Sequence, residues 1–191
     1  MIVLSSPSGA GKTTISKKIQ QKFNNFKISI SHTTRKPRAN EVDAVDYFFV
    51  SKDEFEKKIK NNEFYEFAKI FDNYYGTSKK SVNDLKNKNF NILFDIDWQG
   101  TNQLSKYEEL NLVKIFILPP NKDELKKRLI DRSKGNADSI EKRLSSYDED
   151  KHHWNEYDYI LINDNLENCF SQIEKIIEKE LNQVTLPTHN S

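Results

Sequence analysis

The sequence predicts an α/β fold, a three-layer αβα sandwich built around a central parallel sheet. Two observations carry this prediction. Five short apolar runs of strand length alternate with segments of helical spacing, as expected for strands that lie parallel. The first run, at residues 2–5, leads directly into a glycine-containing loop and then a helix. The chain has 191 residues, enough for one such domain with small additions.

The loop after the first apolar run has the composition of a phosphate-binding loop. Gly9 and Gly11 let backbone N–H groups turn towards an anion, Lys12 can reach outer phosphates, and the Thr13 hydroxyl can ligate Mg²⁺. The usual pattern begins with glycine, where this chain has Ser6. The loop predicts a nucleoside triphosphate site; the alternative is a Gly-Lys-Thr turn that occurs by chance.

A second cluster of positive charge follows the second predicted strand, at residues 27–31. Arg35, Lys36 and Arg38 fall within four residues, and Pro37 favours an extended segment. Like charges this close are unfavourable unless an anion lies between them. The segment therefore predicts a second phosphate site, with a solvated basic loop as the alternative.

A small, mostly β insertion is predicted next, and most of its seven aromatic side chains are expected to form a core of their own. Its helix should begin at a capping box, because Ser51 and Glu54 have the required spacing. The expected elements are a strand at residues 47–50, a helix at 51–61, an alternating strand at 63–71 and a return at 73–77.

Two carboxylates end the next core strand, at residues 90–97. Ligands bind at the carboxyl ends of parallel strands, so Asp95 is a candidate for Mg²⁺ or for a metal-bound water. Asp97 would share its face and look towards an acceptor. Capping of the following helix is the alternative for Asp97.

Two helices that carry arginines follow the fourth core strand, at residues 112–118. Asn121 should cap the first helix, on which Arg128 and Arg132 stand four residues apart. A polar break separates it from a second helix that carries Arg143. This pattern is typical of a lid that closes over phosphates and equally of a solvated charged hairpin.

The last core strand is expected at residues 157–163, before a closing helix. Asp164, with Glu167, should cap that helix, which should end near Leu181. The adjacent histidines at 152–153 lack partners at the spacing of a metal site, so a surface or packing role is expected.

Composition narrows the class of protein. The 30 Lys and Arg nearly cancel the 29 Asp and Glu, which gives no argument for general binding to nucleic acid or membranes. Cys169, the single cysteine, is expected on a buried helix face rather than as a reactive thiol. No apolar run is long enough for a bilayer, and the chain opens on a strand without a signal-peptide pattern, so we expect a cytoplasmic enzyme.

The order of these motifs resembles the guanylate kinase family over nearly all of the chain up to about residue 180. The motifs that carry the resemblance are the phosphate loop, Ser-His-Thr-Thr-Arg-Lys-Pro-Arg at 31–38, Tyr47, Glu66, Tyr-Tyr-Gly-Thr at 74–77, Asp-Ile-Asp-Trp-Gln-Gly at 95–100 and the arginine-bearing lid. The resemblance implies a P-loop NTPase fold and transfer of the γ-phosphoryl group of ATP to GMP, with Mg²⁺ as cofactor. It implies small-molecule substrates and no nucleic-acid or membrane partner.

The resemblance also implies roles for individual residues. The GMP phosphate would be clamped by Arg35, Arg38, Tyr47 and Tyr75. The guanine base would face Ser31, Glu66, Thr77 and Asp97. ATP would lie on Ser8, Gly9, Ala10, Gly11, Lys12, Thr13 and Thr14. Mg²⁺ would be held by Thr13 and Asp95. The transferred charge would be neutralised by Lys12, Arg128, Arg132 and Arg143. The implied boundaries are a core at 1–31, 79–121 and 150–182, a GMP-binding insertion at 32–78, a lid at 122–149 and a flexible tail at 183–191.

The assignment of Glu66 agrees with the chemistry of guanine. Guanine presents two adjacent donors, N1–H and the 2-amino group, and one carboxylate accepts both as a bidentate pair. Adenine has a donor at neither position, so it would leave the carboxylate desolvated and unpaired, a loss of roughly 10⁴-fold or more.

Two departures from the family pattern lie in the basic loop, and two rival functions remain. Asn40 and Ala44 stand where glycine is usual; asparagine enters the left-handed region cheaply, so Asn40 should preserve its turn, whereas Ala44 suggests a changed loop. One rival is a guanylate-kinase-like module that binds phosphorylated peptides without catalysis, against which Lys12 argues. The other is a related kinase with a different acceptor, such as a phosphorylated ribose, against which Glu66 and Thr77 argue.

Overall fold

The computed structural model describes residues 1–133 and 137–184, apart from the side chains of residues 132, 133, 139, 183 and 184. The predicted α/β class is confirmed, with parallel strands at the centre and helices on their faces. The chain forms two compact units. The first contains Met1–Ser5 and Lys22–Lys114, and the second contains Ser6–Gln21 and the chain from Ile115 onward.

The elements are named in chain order. The strands are β1 (Ile2–Ser5), β2 (Phe26–Ile28), β3 (His32–Thr33), β4 (Phe48–Phe49), β5 (Phe64–Ile70), β6 (Asn73–Ser78), β7 (Asn91–Asp95), β8 (Val113–Leu118) and β9 (Tyr159–Ile162). The helices are α1 (Lys12–Lys22), α2 (Lys52–Lys60), α3 (Lys79–Asn87), α4 (Trp98–Leu104), α5 (Lys122–Ser133), α6 (Ala137–His152) and α7 (Leu166–Val184). Short 3-10 turns lie at Glu108–Leu110 and His153–Glu156.

Three parallel strands form the centre of the first unit, with β7 between β1 and β2. The apolar runs bury their side chains on both faces, as in a sheet covered by helices. Val3, Ile92 and Phe94 belong to one cluster with Leu104 of α4, all of them almost fully buried. This packing fixes α4 close to the carboxyl end of β7.

A second, mixed sheet in the first unit has the order β4-β3-β6-β5. The predicted strand at residues 27–31 is wrong at its end, because β2 stops at Ile28 and the chain then changes sheets. The Ser29 N–H still bonds Leu93 O at 2.9 Å, whereas the Ser31 carbonyl already accepts the Phe48 N–H at 2.9 Å. One alternating run therefore serves two sheets.

The helix of the insertion begins as predicted. The Ser51 hydroxyl accepts the Glu54 N–H at 3.2 Å, and the Glu54 carboxylate accepts the Ser51 N–H at 2.8 Å. These reciprocal bonds confirm the capping box of α2, and Asn61 caps the other end.

The aromatic core of the insertion is smaller than predicted. Phe55 is fully buried and stacks on Phe64 and Tyr74 with ring centroids 4.6 and 5.4 Å apart. Tyr65 instead packs edge-on against Tyr107, and Phe67 is exposed. The reason is strand alternation, which points successive side chains of β5 to opposite faces.

In the second unit, β8 and β9 run parallel, with Ile115 opposite Tyr159. The predicted cap of α5 is confirmed, because Asn121 Oδ1 accepts the Glu124 N–H at 2.8 Å. Helices α5 and α6 share an apolar cluster of Leu125, Leu129, Ile140, Leu144 and Tyr147. The polar break predicted between the two helices falls largely on residues 134–136, outside the described residues.

The closing helix differs from the prediction at both ends. Its cap is Asn165, whose Oδ1 accepts the Asn168 N–H at 3.0 Å, and not Asp164, which instead accepts the Asn165 N–H at 2.6 Å. Asp164 stands one residue too early to cap a helix that begins at Leu166. The described helix reaches Val184, and the rest of the predicted tail lies outside the described residues.

The predicted structural roles of Cys169 and of the adjacent histidines are borne out. Cys169 is fully buried on α7, and burial raises the pKa of its thiol to about 11. His153 Nδ1 lies 2.8 Å from Glu156 Oε1 on the surface. Within the described ranges, no helix combines the length and apolarity that crossing a membrane requires.

Candidate active site

The phosphate loop of the second unit is shaped by two glycines. Gly9 and Gly11 have φ of +96° and +103°, in the region that L side chains rarely adopt. A Cβ on Gly9 would also stand 3.0 Å from both Leu125 and Leu129 of α5. Helix α1 then begins at Lys12, so its first turn presents backbone N–H groups at the loop.

Two side chains distant in sequence hold this loop, and a third holds one of those two residues. Asn163, at the end of β9, donates from Nδ2 to the Ala10 carbonyl at 2.8 Å and is almost fully buried. Arg143 of α6 donates to Ser8 Oγ at 2.5 Å. Arg128 of α5 donates to the Asn163 carbonyl at 3.0 Å and pairs with Glu124 at 3.1 Å.

Two of the three predicted lid arginines thus lie at the loop or at the residue that supports it. The backbone of Arg132 belongs to α5, whereas its side chain lies outside the described residues. Asn163 was missed by the sequence analysis. The signal that was available was its place directly after an apolar strand that ends beside a loop.

In the first unit, the carboxylate of Glu66 is buried with 3% of the residue exposed, and Thr77 is fully buried. The Thr77 hydroxyl donates to Glu66 Oε1 at 2.6 Å across the β5–β6 hairpin. We call the group formed by Glu66, Thr77, Asp97 and Gly100 the carboxylate pocket. Its buried acid is held by a neutral hydroxyl, an arrangement suited to a ligand that brings its own donors.

Asp97 caps α4, the second of the two roles that its sequence position left open. Its Oδ1 accepts the Gly100 N–H at 2.9 Å, and its backbone is extended. The cap fixes the carboxylate of Asp97 at the start of the helix. Ser31, predicted at the same site, is buried where the chain enters the second sheet.

The predicted phosphate cations form a second cluster in the first unit, which we call the arginine clamp: Arg35, Arg38, Glu41, Tyr47 and Tyr75. Arg35 meets the Glu41 carboxylate through Nη1 and Nη2, both at 2.8 Å, and donates from Nε to the Tyr75 hydroxyl at 3.2 Å. Its guanidinium also lies over the Tyr47 ring, 5.4 Å from the centroid.

Glu41 is the anion that the crowded cations require, and the sequence analysis missed it. Its carboxylate also accepts the Arg38 N–H at 2.8 Å and lies 3.5 Å from the Arg38 guanidinium. Burial alone would raise the pKa of Glu41, but the hydrogen bonds from Arg35 and Arg38 outweigh it and lower the pKa. The pair therefore stays ionised over the neutral range.

One of the five N–H groups of Arg35 makes no hydrogen bond to the described residues. Glu41 and the Lys36 carbonyl take three of its five N–H groups, and the Tyr75 hydroxyl takes the fourth, on Nε. The fifth N–H, on Nη2, is adjacent to the edge that Tyr75 occupies. Burial, with the nearby charge of Asp95, raises the pKa of Tyr47 to about 12, so its hydroxyl remains a hydrogen-bond donor at neutral pH.

The loop of the clamp departs from the sequence prediction at both unusual positions. Ala44 has φ of +60°, and its N–H bonds the Tyr47 carbonyl at 2.8 Å, so the left-handed turn is kept despite the Cβ. Asn40, expected to be left-handed, has no positive φ. Hydrogen bonds of the loop override the local preference at Ala44, and the turn delivers Tyr47 to the clamp.

The predicted metal ligands are hard oxygen donors, which suits Mg²⁺. Thr13 is exposed in the first turn of α1. Asp95 ends β7, half-buried, and its charge acts on the Tyr47 hydroxyl. Among the described residues, no three His, Cys, Asp or Glu side chains gather into a metal-binding group.

Comparisons with known proteins agree on one family. The family model for guanylate kinase matches residues 1–180. The guanylate kinase of Rickettsia bellii is 49% identical over 180 residues, which are 94% of this chain and 94% of that protein. The guanylate kinase of Novosphingobium aromaticivorans is 44% identical, over 94% of this chain and 81% of that protein.

Solved structures extend the likeness to three dimensions. The guanylate kinase from Anaplasma phagocytophilum has a TM-score of 0.77 at 32% identity, over 94% of this chain and 85% of that one. The SH3-kinase fragment of tight junction protein 3 has a TM-score of 0.51 at 10% identity, over 94% of this chain and 56% of that one. The second likeness shows the fold alone.

Proposed function

The chain belongs to the guanylate kinase family, and on that premise we propose how its residues transfer the γ-phosphoryl group of ATP to GMP, giving ADP and GDP. The observation that carries the proposal is the buried carboxylate of Glu66, held by Thr77 in the same unit as the arginine clamp. A base-reading acid and a phosphate clamp in one unit are what a nucleoside monophosphate acceptor needs.

Glu66 reads the guanine base. Its carboxylate accepts N1–H and the 2-amino group together, while the Thr77 hydroxyl keeps one oxygen in place. Asp97 and Ser31 line the same base. Because Glu66 is desolvated, a base without these donors would leave a buried charge unpaired, and AMP would be rejected.

The arginine clamp holds the phosphate of GMP. The phosphate accepts the remaining Nη2 N–H of Arg35, and the hydroxyls of Tyr75 and Tyr47 donate to it. Arg38, more exposed, adds a second positive charge. Glu41 holds Arg35 through one N–H each of Nη1 and Nη2, which keeps the guanidinium oriented and leaves the second Nη2 N–H for phosphate.

The phosphate loop binds ATP through residues 8–14. Backbone N–H groups around Gly9 and Gly11 cradle the phosphates, and Lys12 reaches the outer ones. Bound Mg²⁺ would neutralise charge on the phosphates and help to align them. The Thr13 hydroxyl and the Asp95 carboxylate are the groups of this chain that would hold it.

The chemistry itself asks for alignment and charge neutralisation. The GMP phosphate is already a nucleophilic anion at neutral pH, so no general base is required. Lys12 with Arg128, Arg132 and Arg143 supplies positive charge to the phosphoryl group in transfer. Closure of the insertion (32–78) and the lid (122–149) would exclude water and limit hydrolysis of ATP.

We propose a cytoplasmic enzyme whose partners are its small-molecule substrates. The rival reading, a module that binds phosphorylated peptides, would not need the glycine conformations of the loop or the contact of Arg143 with it. Both features favour a working donor site.

The test is ADP formation from ATP and Mg²⁺ with GMP, AMP, CMP and UMP offered in parallel. We expect turnover with GMP, and a loss of at least about 10³-fold in kcat for Lys12→Ala, because charge at the transferred phosphoryl is the main catalytic term. Binding of a phosphorylated peptide without ADP formation from any nucleotide would refute the proposal in favour of the module.

A further inference from the structure

Helix α4 touches the buried carboxylate through a residue that has no side chain. A Cβ on Gly100 would stand 2.6 Å from Glu66 Oε2 and 3.0 Å from Glu66 Cδ. Non-bonded carbon and oxygen atoms do not tolerate such a separation, so one partner would have to move. Gly100 has no positive φ, so its backbone does not require glycine, and the requirement is one of space.

The helix cannot move away easily at its carboxyl end. The Gln103 amide donates from Nε2 to the Phe67 carbonyl at 2.7 Å, and its Oε1 accepts the Phe67 N–H at 3.1 Å. Phe67 follows Glu66 directly on β5. One side chain thus pairs α4 with the strand that carries the acid, as a neighbouring strand would.

The amino end of the helix is fixed as well. Asp97 caps the Gly100 N–H, and the Thr101 hydroxyl donates to the Asp97 carbonyl at 2.8 Å. The Ser5 hydroxyl, at the end of β1, lies 2.9 Å from the Thr101 hydroxyl and bonds the Ile96 carbonyl at 2.9 Å. Both ends of α4 are therefore anchored to strands of the same unit.

The carboxylate of Glu66 stands at the far end of a flexible side chain, so it yields more readily than a helix anchored at both ends. We propose that Gly100 is a specificity-determining residue, because its missing side chain sets the position of the Glu66 carboxylate and so the preference for guanine. The inference rests on the proposed role of Glu66 in reading the base. A methyl group at position 100 displaces the carboxylate, and the bidentate pair with N1–H and the 2-amino group is lost.

Gly100→Ala is the direct test, with GMP and the hypoxanthine nucleotide IMP as substrates. IMP keeps N1–H and lacks the 2-amino group, so the ratio of kcat/KM for GMP and IMP measures how well the carboxylate meets both donors. We expect the KM for GMP to rise at least tenfold with kcat within about threefold, and the ratio to fall towards one.

Asn102→Ala is the matched control. Asn102 lies on the same helix and is only half-buried, and its replacement by alanine makes a comparable gain in helix propensity. The KM for GMP should stay within about twofold of the unmodified chain. A wild-type KM and ratio in Gly100→Ala would overturn the inference.

A double-mutant cycle with Glu66→Ala separates the inference from the function on which it rests. If Gly100 acts through the carboxylate, Gly100→Ala changes nothing further once Glu66 is alanine. An equal loss in both backgrounds would overturn the inference while leaving the role of Glu66 intact. An unchanged GMP turnover in Glu66→Ala alone would instead refute the proposed role of that acid.

The cycle also covers a failure to fold. Circular dichroism and thermal unfolding establish whether Gly100→Ala is native. If the single variant is unfolded and the double variant with Glu66→Ala is folded, the clash with the carboxylate is supported. If both are unfolded, position 100 acts on the fold and not through Glu66, which overturns the inference.

Discussion

In the carboxylate pocket Glu66 is 3% exposed and its charge is met by a neutral hydroxyl, whereas in the arginine clamp the Arg38 side chain is 46% exposed and faces an acid. The first arrangement buries an acid that a ligand can meet with hydrogen-bond donors of its own. The second pairs its cations with Glu41 when no ligand is bound. A buried charge gives discrimination, since a ligand without matching donors cannot replace the water that the charge has lost, while exposed charges give attraction that salt screens. One nucleotide is thus read at its base and attracted at its phosphate.

The largest expected effect comes from the pocket. Glu66→Gln replaces one acceptor oxygen by an NH₂ group that opposes the donors of guanine, so kcat/KM for GMP should fall by about 10³-fold. Activity with AMP, measured in the same assay, should not fall with it. Glu56→Gln, which removes a solvent-facing acid of α2, is the control. If Glu66→Gln lowered kcat/KM equally for GMP and AMP, the carboxylate pocket would not be the part of the protein that discriminates between them.

Substitution in the arginine clamp should have a smaller effect on activity with GMP than substitution in the carboxylate pocket, and salt should raise the KM for GMP. Arg35→Lys loses the two-pronged contact with Glu41 and the stacking on Tyr47, so the KM for GMP should rise about 10- to 100-fold with discrimination against AMP retained. Between 50 and 300 mM KCl, the KM of the unmodified chain should rise while the GMP:AMP ratio stays constant. Lys36→Gln, which removes an adjacent exposed charge, should change the KM less than threefold. A salt-sensitive ratio would erase the distinction between the two regions.

Low pH should destabilise the sheet that carries the carboxylate pocket, because His32 lies in that sheet. Its ring packs at a tilt against Phe48, and its Nδ1 has no hydrogen-bond partner among the described residues. It lies opposite Gly76, next to Thr77. Burial, assisted by the charge of Lys58, lowers the pKa of His32 to about 4.

The sign of this pH effect follows from proton uptake. The His32 imidazole takes up its proton near pH 6.5 in the unfolded chain and near pH 4 in the folded chain. The contribution of neutral His32 to the free energy of unfolding is therefore complete above pH 6.5 and is lost as the pH falls to 4. In urea unfolding, acid should lower the free energy of unfolding of His32→Phe by about 2 kcal/mol less than that of the unmodified chain. His152→Gln, which replaces an exposed histidine, should show the same acid-induced decrease as the unmodified chain. An unchanged pH profile in His32→Phe would contradict the assignment.

Glu41→Gln probes whether the clamp is organised before the ligand arrives. Without the ion pair Arg35 has more freedom, so the KM for GMP should rise about 3- to 10-fold with kcat unchanged. The lowered pKa of Glu41 means that its contribution is complete above the ordinary carboxyl range and is lost only as the pH falls below it. A lower KM in Glu41→Gln would mean that Glu41 competes with phosphate.

Ala44→Gly carries the smallest expected change. Glycine removes the cost of a Cβ at a φ of +60°, about 1–2 kcal/mol, and adds freedom to the unfolded chain, for a net gain of about 0.5 kcal/mol. Chemical unfolding of the two chains measures the difference. A destabilised Ala44→Gly would mean that the methyl group makes a packing contact that outweighs the strain.

Local chemistry predicted the elements whose cause is local. The capping box at Ser51 and the cap at Asn121 involve residues three apart, and both formed as expected. The alternation at residues 63–71 predicted the strand that became β5, although it could not assign each aromatic residue to a core. The second strand was overextended because one alternating run is shared between two sheets.

The features that the sequence did not reveal depend on pairs far apart in the chain. Asn163 supports Ala10 across 153 positions, and Gly100 makes room for Glu66 from a different element. Neither residue type has a pattern of its own, since a buried asparagine or a helical glycine is interpretable only once its neighbour is known. Glu41 was closer, six residues from Arg35, but only the folded loop brings the two together.

Covalent labelling of Cys169 can report how often the second unit opens. It is the one thiol of the chain, it is fully buried on α7, and a pKa of about 11 keeps it protonated at neutral pH. Alkylating reagents react with exposed thiolate, so the rate of covalent labelling measures how often this helix opens. Nucleotide bound at the phosphate loop of the same unit should slow that reaction in proportion to its occupancy. Mass spectrometry of the labelled protein can therefore measure nucleotide binding to the second unit in the absence of turnover.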